Sequence, residues 1–227
     1  MRLSNNIVGL PTRHEKCGFM NLIPDKDNEK QIESCKKWDG RDSMILTGNP
    51  GTGKTHIAIA LLRNFPMKLR NEFEADSEKF RLKEVLENKD TPQGYKEHCE
   101  RLLQNEMWKY KPANCLFIPI VEMFIRLNNA AMADDGKLRL LETYARKTTY
   151  DCICFDDLGA EKMTDAKREN FYYIIDSRYR EMLPTIITSN YTINEINESE
   201  PRIASRFAEM GKILQFNGKD FRLRTKQ

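Results

Sequence analysis

Apolar residues along the chain form two kinds of pattern that alternate. Short continuous runs at 43–47, 115–120, 152–155 and 185–188 have the length and composition of buried strands, and a shorter candidate lies at 212–216. Between these runs, apolar residues recur every three to four positions, as at Ile57, Ala58, Leu61 and Leu62, which predicts amphipathic helices. Strands that alternate with helices indicate an α/β fold with a parallel sheet, whose ligands bind at the carboxyl ends of the strands.

Residues 67–112 differ from the rest of the chain in their pattern of charged and apolar residues. Charges of both signs alternate there, and apolar side chains fall at helical spacing, first at Leu69, Phe73 and Phe80 and again between 95 and 110. We predict a helical hairpin, with Pro92 opening its second helix, inserted into a single domain that spans 1–227 and begins with an irregular lead-in at 1–42. Its nearly balanced charges make the hairpin a poor surface for phosphates, so it either docks a partner protein or packs on its own core.

Composition narrows the class of protein. The chain has 227 residues, of which 40% are hydrophobic and 31% charged, as expected for a domain with a core and a polar surface. No apolar stretch is long enough to span a bilayer or to act as a secretory signal, which predicts a cytoplasmic protein without membrane partners. The net charge of +3 is too small to indicate nucleic-acid binding by itself, and six cysteines without a Cys-x-x-Cys pair do not predict a zinc site.

The segment after the first predicted strand has the spacing of a phosphate-binding loop. It reads Gly48, Asn49, Pro50, Gly51, Thr52, Gly53, Lys54 and Thr55. Because a strand precedes it and a helix begins in it, its backbone N–H groups and the positive end of the helix dipole can hold the phosphates of ATP. We expect Lys54 to reach the β- and γ-phosphates and Thr55 to ligate Mg²⁺. His56 follows directly and is grouped with the nucleotide-binding residues by position, although packing is the simpler interpretation.

Two acidic residues end the third predicted strand. Asp156 is the expected Mg²⁺ ligand, and Asp157 is the candidate that polarises the attacking water. The alternative is that the two carboxylates cap a following helix. The next residues, Leu158, Gly159 and Ala160, do not favour a helix, and we therefore predict a catalytic role for the pair.

Asn190 and three late arginines extend the predicted site. An uncharged polar side chain at the end of the fourth strand can hydrogen-bond the γ-phosphate and the attacking water, although asparagine is also common in turns. Arg202 and Arg206 lie four residues apart on one helical face, and an arginine near the transferred phosphoryl group accelerates its transfer. Either could instead be a surface charge, the interpretation favoured for Arg202, while Arg222 is a candidate to sense the nucleotide in its own subunit.

In combination, these segments resemble a known family. Residues 48–56, 155–159, 174–179 with 187–190, 202–206 and 220–222 are similar to the AAA+ domain of the DnaC/DnaI-like helicase loaders of bacteria and phages, which are related to the IstB-like transposition helper ATPases. The resemblance covers nearly the whole chain except 67–112. It implies a P-loop NTPase of the AAA+ class with a reduced C-terminal lid, and ATP and Mg²⁺ as its ligands.

The resemblance also implies roles and partners. Asn190 would be sensor 1, Arg206 would be the finger that reaches a neighbouring subunit's ATP, and Arg222 would be sensor 2. The protein would associate with itself through the ATP site, contact single-stranded DNA and deliver a hexameric replicative helicase onto it during replication. Basic residues in the two helices at 121–147 are candidates for DNA contact: Arg126, Lys137, Arg139, Arg146 and Lys147.

Two departures leave other functions open. Only about forty residues precede the first strand of the core, where loaders of this family usually carry a helicase-gripping module, and the 67–112 insertion has no counterpart in the family's pattern. A transposition helper ATPase therefore remains an alternative, as does an adaptor that uses ATP binding as a switch with little turnover. A P-loop kinase for a small molecule is a further alternative, which the Thr188–Ser189–Asn190 strand end does not favour.

Overall fold

The computed structural model describes residues 5–23, 26–146, 149–218 and 220–222. Within these residues the strands are β1 (Asn6–Val8), β2 (Ser43–Gly48), β3 (Lys68–Leu69), β4 (Tyr110–Lys111), β5 (Asn114–Pro119), β6 (Cys152–Leu158), β7 (Thr185–Ser189) and β8 (Gly211–Phe216). The helices are α1 (Glu29–Lys36), α2 (Lys54–Asn64), α3 (Glu72–Glu87), α4 (Gln93–Gln104), α5 (Ile120–Ala130), α6 (Gly136–Ala145), α7 (Asp165–Arg180), α8 (Ile193–Ser199) and α9 (Pro201–Met210). Short 3-10 turns connect several of them.

The described chain divides into two compact units. One is 66–113, and the other combines 5–65 with the described part of 114–227. The predicted insertion, 67–112, matches the first unit to within one residue at each end. That the whole chain forms one domain stays a prediction.

The larger unit is built on a six-stranded sheet. Its strand order is β1-β5-β6-β7-β2-β8, and each neighbouring pair is parallel. The α/β fold with a parallel sheet is therefore confirmed. Strand β7 lies between β2, which leads into the phosphate loop, and β6, which carries the two acidic residues. This order brings the ends of three predicted functional segments side by side.

The core of this unit lies between the sheet and helices α5, α6, α7 and α9. Phe155 of β6 makes edge-to-face ring contacts with Tyr144 and Phe171, and all three side chains are buried. Arg178 of α7 is also fully buried. Its guanidinium donates to Thr185 Oγ1 (2.7 Å) and to two backbone carbonyl oxygens. A buried arginine without a carboxylate partner is stable only when its donors are satisfied in this way.

The smaller unit contains the predicted hairpin, with differences in detail. Helices α3 and α4 pack against each other, and β3 and β4 pair in a two-stranded antiparallel sheet. Asn71 and Glu74 begin α3 with a reciprocal capping box. Pro92 is the N-cap residue of α4 rather than its first helical residue. The Phe73 and Phe80 side chains of the expected apolar stripe are exposed, while Ala75 and Leu82 are the buried side chains of α3.

Three further differences concern the larger unit. The lead-in contains an unpredicted edge strand, β1, before which Asn5 Nδ2 donates to the carbonyl oxygens of Leu62 and Phe65 (2.9 and 2.7 Å). Strand β6 includes both acidic residues and continues one residue further, to Leu158, instead of ending at them. At the C-terminal end, where the reduced lid is expected, residues 219 and 223–227 lie outside the described part of the chain. Among the described residues, no helix combines the length and apolar composition that crossing a bilayer requires.

Candidate nucleotide site

The loop between β2 and α2 has the backbone shape that phosphate binding needs. Gly51 and Gly53 have φ values of 72° and 90°, in the left-handed region that glycine adopts without steric strain. Helix α2 begins at Lys54, so the first N–H groups of the helix point into the concave loop. This geometry matches the predicted loop.

Lys54 is held inside the loop. Its Nζ donates to the carbonyl oxygens of Gly48 (2.7 Å) and Asn49 (2.6 Å), and the side chain is buried. Burial lowers the pKa of this amine to about 8, although the nearby Asp157 and Asp156 carboxylates act in the opposite direction. A buried ammonium with only carbonyl partners is suited to a strongly anionic ligand.

Asp156 and Thr55 meet at the end of β6. Thr55 donates from its hydroxyl to Asp156 Oδ1 (3.0 Å), and the hydroxyl of Thr188 on β7 donates to the same oxygen (2.7 Å). Burial raises the pKa of the Asp156 carboxyl, and the two hydroxyl hydrogen bonds offset this only in part. A cation beside this carboxylate would stabilise its charged form.

Asp157 and Asn190 form the second contact at the strand ends. Asn190 Nδ2 donates to Asp157 Oδ1 (2.8 Å), and the Asp157 N–H donates to Thr188 Oγ1 (2.8 Å). Asp157 has a φ of 62°, which is uncommon for a residue other than glycine. Left-handed residues in folded proteins concentrate at functional sites, where surrounding contacts hold them.

The segment 220–222 lies against the phosphate loop. Phe221 N–H donates to the Gly51 carbonyl oxygen (2.9 Å), and a Cβ added to Gly51 would lie 1.8 Å from Asp220 Oδ1. Arg222 Nε contacts the same Asp220 oxygen (3.3 Å), and the Arg222 charge contributes to lowering the pKa of Lys54. The predicted sensor arginine is therefore close to the loop.

A small cavity adjoins the loop and its helix. It has a volume of about 160 Å³ and is lined by both polar and apolar side chains of the lead-in, by the start of α2 and by Phe221. His56 lines this cavity, and its Nε2 lies 2.9 Å from the Gly18 carbonyl oxygen and 3.2 Å from the Gly18 nitrogen. This contact ties the lead-in to α2, which gives His56 a packing role beside the cavity.

Arg206 contacts α7. Its Nε donates to Asp176 Oδ1 (2.9 Å), and its guanidinium lies 4.5 Å from the centre of the Tyr179 ring. Arg202, one turn earlier, stacks on Tyr172 at 3.7 Å. Both arginines are thus held against the same helix by aromatic rings, but only Arg206 pairs with the buried Asp176.

The candidates for DNA contact lie on α5 and α6 or just after α6. Arg126 pairs with Glu122 one turn away (2.5 Å), and Arg146 pairs with Glu142 (3.7 Å). Exposed pairs of this kind are weak, so both arginines remain available to phosphates. Lys147 lies outside the described residues.

The residues at the strand ends fit Mg²⁺ and ATP. Mg²⁺ usually takes one or two protein ligands, and phosphate and water oxygens complete its octahedron. Thr55 and Asp156 supply such a pair of oxygens beside the loop, with the Lys54 ammonium within it. The residues present therefore fit a magnesium–nucleotide group.

Sequence reasoning did not identify every residue that takes part in the site. Thr188 connects both acidic residues, since its one hydroxyl donates to Asp156 and accepts from Asp157. A threonine at the end of a buried strand is too common to indicate this role. Asp220 and Phe221 belong to the segment 220–222 that carries part of the resemblance, but the sequence assigned a role only to Arg222 and did not predict their contacts with Arg222 and Gly51.

Comparisons of sequence find two curated relatives in Bacillus subtilis (strain 168). The uncharacterized protein YqaM is 24% identical over 219 residues, which cover 89% of this chain and 55% of YqaM. The phage-like element PBSX protein XkdC is 23% identical over 186 residues, which cover 80% of this chain and 50% of XkdC. The chain thus spans about half the length of the curated relatives it matches. No protein-family model matches it.

Comparisons of structure find several replication proteins. The crystal structure of DnaI has a TM-score of 0.59 at 16% identity and covers 95% of both chains. The DnaC helicase loader has a TM-score of 0.57 at 20% identity and covers 91% of this chain and all of its own. The replication initiator DnaA bound to AMPPCP and single-stranded DNA has a TM-score of 0.58 at 14% identity, covering 90% of this chain and 51% of DnaA. The chain therefore shares the fold of DnaI and of the DnaC helicase loader, the fold that its sequence resemblance to the AAA+ domain of the DnaC/DnaI-like loaders implied.

Proposed function

We propose that this protein binds and hydrolyses Mg²⁺-ATP, assembles with itself through the nucleotide site, and loads a hexameric replicative helicase onto single-stranded DNA. The observation that carries the proposal is the hydrogen-bonded chain Thr55–Asp156–Thr188–Asp157–Asn190. It joins the phosphate loop to the ends of two neighbouring strands. A turn that served only as a structural connection would not need two acidic residues in this network.

Each residue of the network has a distinct task in the proposed reaction. Thr55 and Asp156 would hold Mg²⁺, which would supply positive charge beside the transferred phosphoryl group. Lys54 would neutralise charge on the β- and γ-phosphates. Asp157 accepts a hydrogen bond from the attacking water and orients it, while Asn190 fixes the Asp157 carboxylate.

The position of Arg206 supports the proposed self-association. Its guanidinium is engaged with α7 of its own chain, and its contacts are with Asp176 and Tyr179 rather than with the phosphate loop. An arginine that accelerates phosphoryl transfer must reach the transferred phosphate. We propose that Arg206 does so at the site of a second copy, after leaving Asp176.

The proposed partners rest on similarity. DnaC is a helicase loader by its description, and the matched DnaA binds single-stranded DNA and an ATP analogue. The two curated relatives support a bacterial or phage setting. The exposed Phe73 and Phe80 of the hairpin offer an apolar surface for the helicase, and the basic residues of α5 and α6 offer contacts to DNA phosphates.

A loading assay on closed circular single-stranded DNA tests the proposal. A helicase ring must open to enclose such a circle, so helicase that stays with the circle after gel filtration in high salt has been loaded. We expect retention to require this protein and ATP, and to be lost with Lys54→Ala. Tight ATP binding without phosphate release would support the switch adaptor instead. Stimulation of a transposase without helicase retention would support the transposition helper, and a phosphorylated small-molecule product would support a kinase.

A further inference from the structure

Asn28 occupies a helix-capping position without capping the helix. It is the N-cap residue of α1, where asparagine normally accepts a hydrogen bond from an N–H of the first turn. Its side chain makes no such bond here. Instead, Asn28 Oδ1 accepts from the backbone N–H of Asn217, 3.2 Å away, just after β8. The side chain is thus directed away from its own helix.

The hydrogen bond from Asn217 fixes the orientation of the amide. A backbone N–H can only donate, so the atom that faces it must be the oxygen of Asn28. The Nδ2 group then faces the other way, and it has no hydrogen-bond partner among the residues that the structure describes. Asn28 is 1% exposed, so this is a buried donor that lacks an acceptor. Buried donors are rarely left unpaired, and each one calls for a ligand or water.

The cavity beside the phosphate loop is where this donor can be satisfied. Asn28 lines the cavity together with Thr52 and Gly53 of the loop, and Ile57 and Ile32 supply apolar walls. At about 160 Å³ the cavity is smaller than the pockets that hold whole drug-sized ligands, which measure about 300–1,000 Å³. It has room for a flat ring system attached to a phosphate chain that lies in the loop.

We propose that Asn28 Nδ2 donates a hydrogen bond to a ring nitrogen of a purine base in this cavity, so that Asn28 determines base specificity. The proposal rests on the proposed function, since the base belongs to the nucleotide whose phosphates the loop holds. Purines carry unprotonated ring nitrogens on several edges, whereas uracil has none. Asn217 also accepts a hydrogen bond at its carbonyl oxygen from Asn49 Nδ2 (3.4 Å), so one residue supports both the base donor and the phosphate loop.

Equilibrium binding of ATP and its 1-deaza, 3-deaza and 7-deaza analogues tests this assignment. Each analogue replaces one ring nitrogen by a C–H group that cannot accept a hydrogen bond. We expect one of the three to bind the wild-type protein roughly five- to tenfold more weakly than ATP, the range of one neutral hydrogen bond. In Asn28→Asp the acceptor for Asn217 is kept and the donor is lost, so ATP and that analogue should bind equally.

Asn21→Asp is the matched control. Asn21 lines the same cavity, but its Nδ2 already donates to the Lys16 carbonyl oxygen. This variant should keep the discrimination of the wild type. Equal binding of all four nucleotides to the wild-type protein overturns the role of Asn28 and leaves the ATPase proposal intact. Discrimination that persists in Asn28→Asp also overturns it, while a wild-type protein that binds no ATP overturns both proposals.

Discussion

Asn190 Nδ2 donates a hydrogen bond to the Asp157 carboxylate, 2.8 Å away, across the ends of two neighbouring strands. Asp157 has a φ of 62°, and its N–H donates a hydrogen bond to the hydroxyl oxygen of Thr188. Backbone strain at a single residue costs about 1–3 kcal/mol and persists only where neighbours enforce it. These contacts hold a carboxylate whose charge acts on Lys54 of the phosphate loop, which suits a residue that orients water beside the phosphates.

The first prediction concerns this carboxylate. Asp157→Asn should bind ATP with nearly unchanged affinity and hydrolyse it about 100-fold more slowly, because asparagine tolerates the left-handed backbone but is a poorer acceptor for water. Single-turnover phosphate release and equilibrium ATP binding measure the two effects separately. Turnover at the wild-type rate would remove Asp157 from the mechanism.

The Asn190 contact supplies a control for this prediction. Asn190→Ala should also slow hydrolysis, because the Asp157 carboxylate loses the group that fixes it. If the two side chains act as one unit, the double variant should be little slower than Asp157→Asn alone. Fully additive losses would show that Asn190 contacts the nucleotide or the water independently of Asp157.

The second prediction is a pH dependence of ATP binding. Burial lowers the pKa of Lys54 to about 8 in the protein without nucleotide, and phosphates favour the charged amine. Binding should therefore raise this pKa and take up a proton at higher pH, so affinity falls as pH rises. From pH 7 to pH 9 we expect a loss of roughly tenfold in affinity for Mg²⁺-ATP. Calorimetry in buffers of different ionisation enthalpy counts the protons.

Lys54→Arg provides the comparison for this experiment. Its guanidinium stays charged throughout this pH range, so its affinity, although altered by the different geometry, should not fall between pH 7 and pH 9. The same tenfold loss in Lys54→Arg would assign the pH dependence to another group.

The backbone shape of the loop could be predicted from sequence because it is local. The spacing from Gly48 to Thr55 fixes which backbone groups surround the phosphates, and a helix must follow for Lys54 to reach them. Asp156 and Asn190 were found for a different reason. The carboxyl ends of parallel strands meet at one edge of a sheet, so polar residues at the ends of two predicted strands were expected to come together.

Other features depend on contacts between distant residues and leave little trace in the sequence. Strand β1 is three residues long and pairs with β5 at the edge of the described sheet, so it is too short to show a periodic pattern in the sequence. The roles of Thr188 and Asn28 come from partners 32 and 189 positions away. Of the predicted helical stripe, Phe73 and Phe80 lie on α3, but Leu69 lies in β3. Which face of α3 is buried depends on how α4 packs against it.

The third prediction is that hydrolysis needs a second subunit. Arg206→Ala should bind ATP as the wild type does but hydrolyse it about 1,000-fold more slowly, the scale of an arginine that contacts the transferred phosphate. Mixing it with Lys54→Ala, which is itself inactive, should restore activity because an intact loop then meets an intact Arg206. Phosphate release across a series of mixing ratios measures this recovery.

Arg202→Ala is the control for the third prediction. It lies on the same helix and stacks on Tyr172 as Arg206 does on Tyr179, so it reports the loss of an arginine–ring contact alone. We expect it to hydrolyse ATP normally. If no mixture of Arg206→Ala and Lys54→Ala regains activity where the wild type self-associates, the intrachain pair with Asp176 is the whole role of Arg206.

The last prediction is that the hairpin at 67–112 docks the helicase. Phe73 and Phe80 lie seven positions apart on α3, where they share one face, and they are 82% and 64% exposed. Two large aromatic side chains on one exposed face are typical of a protein-binding surface.

The double variant Phe73→Ser with Phe80→Ser should keep the ATPase activity and weaken helicase capture by at least roughly tenfold. The control, Met132→Ser with Met182→Ser, removes two apolar side chains outside the hairpin that are even more exposed, and should capture helicase normally. Surface plasmon resonance with the immobilised helicase ring measures both, and full-strength capture by the hairpin variant would show that this face does not dock the helicase.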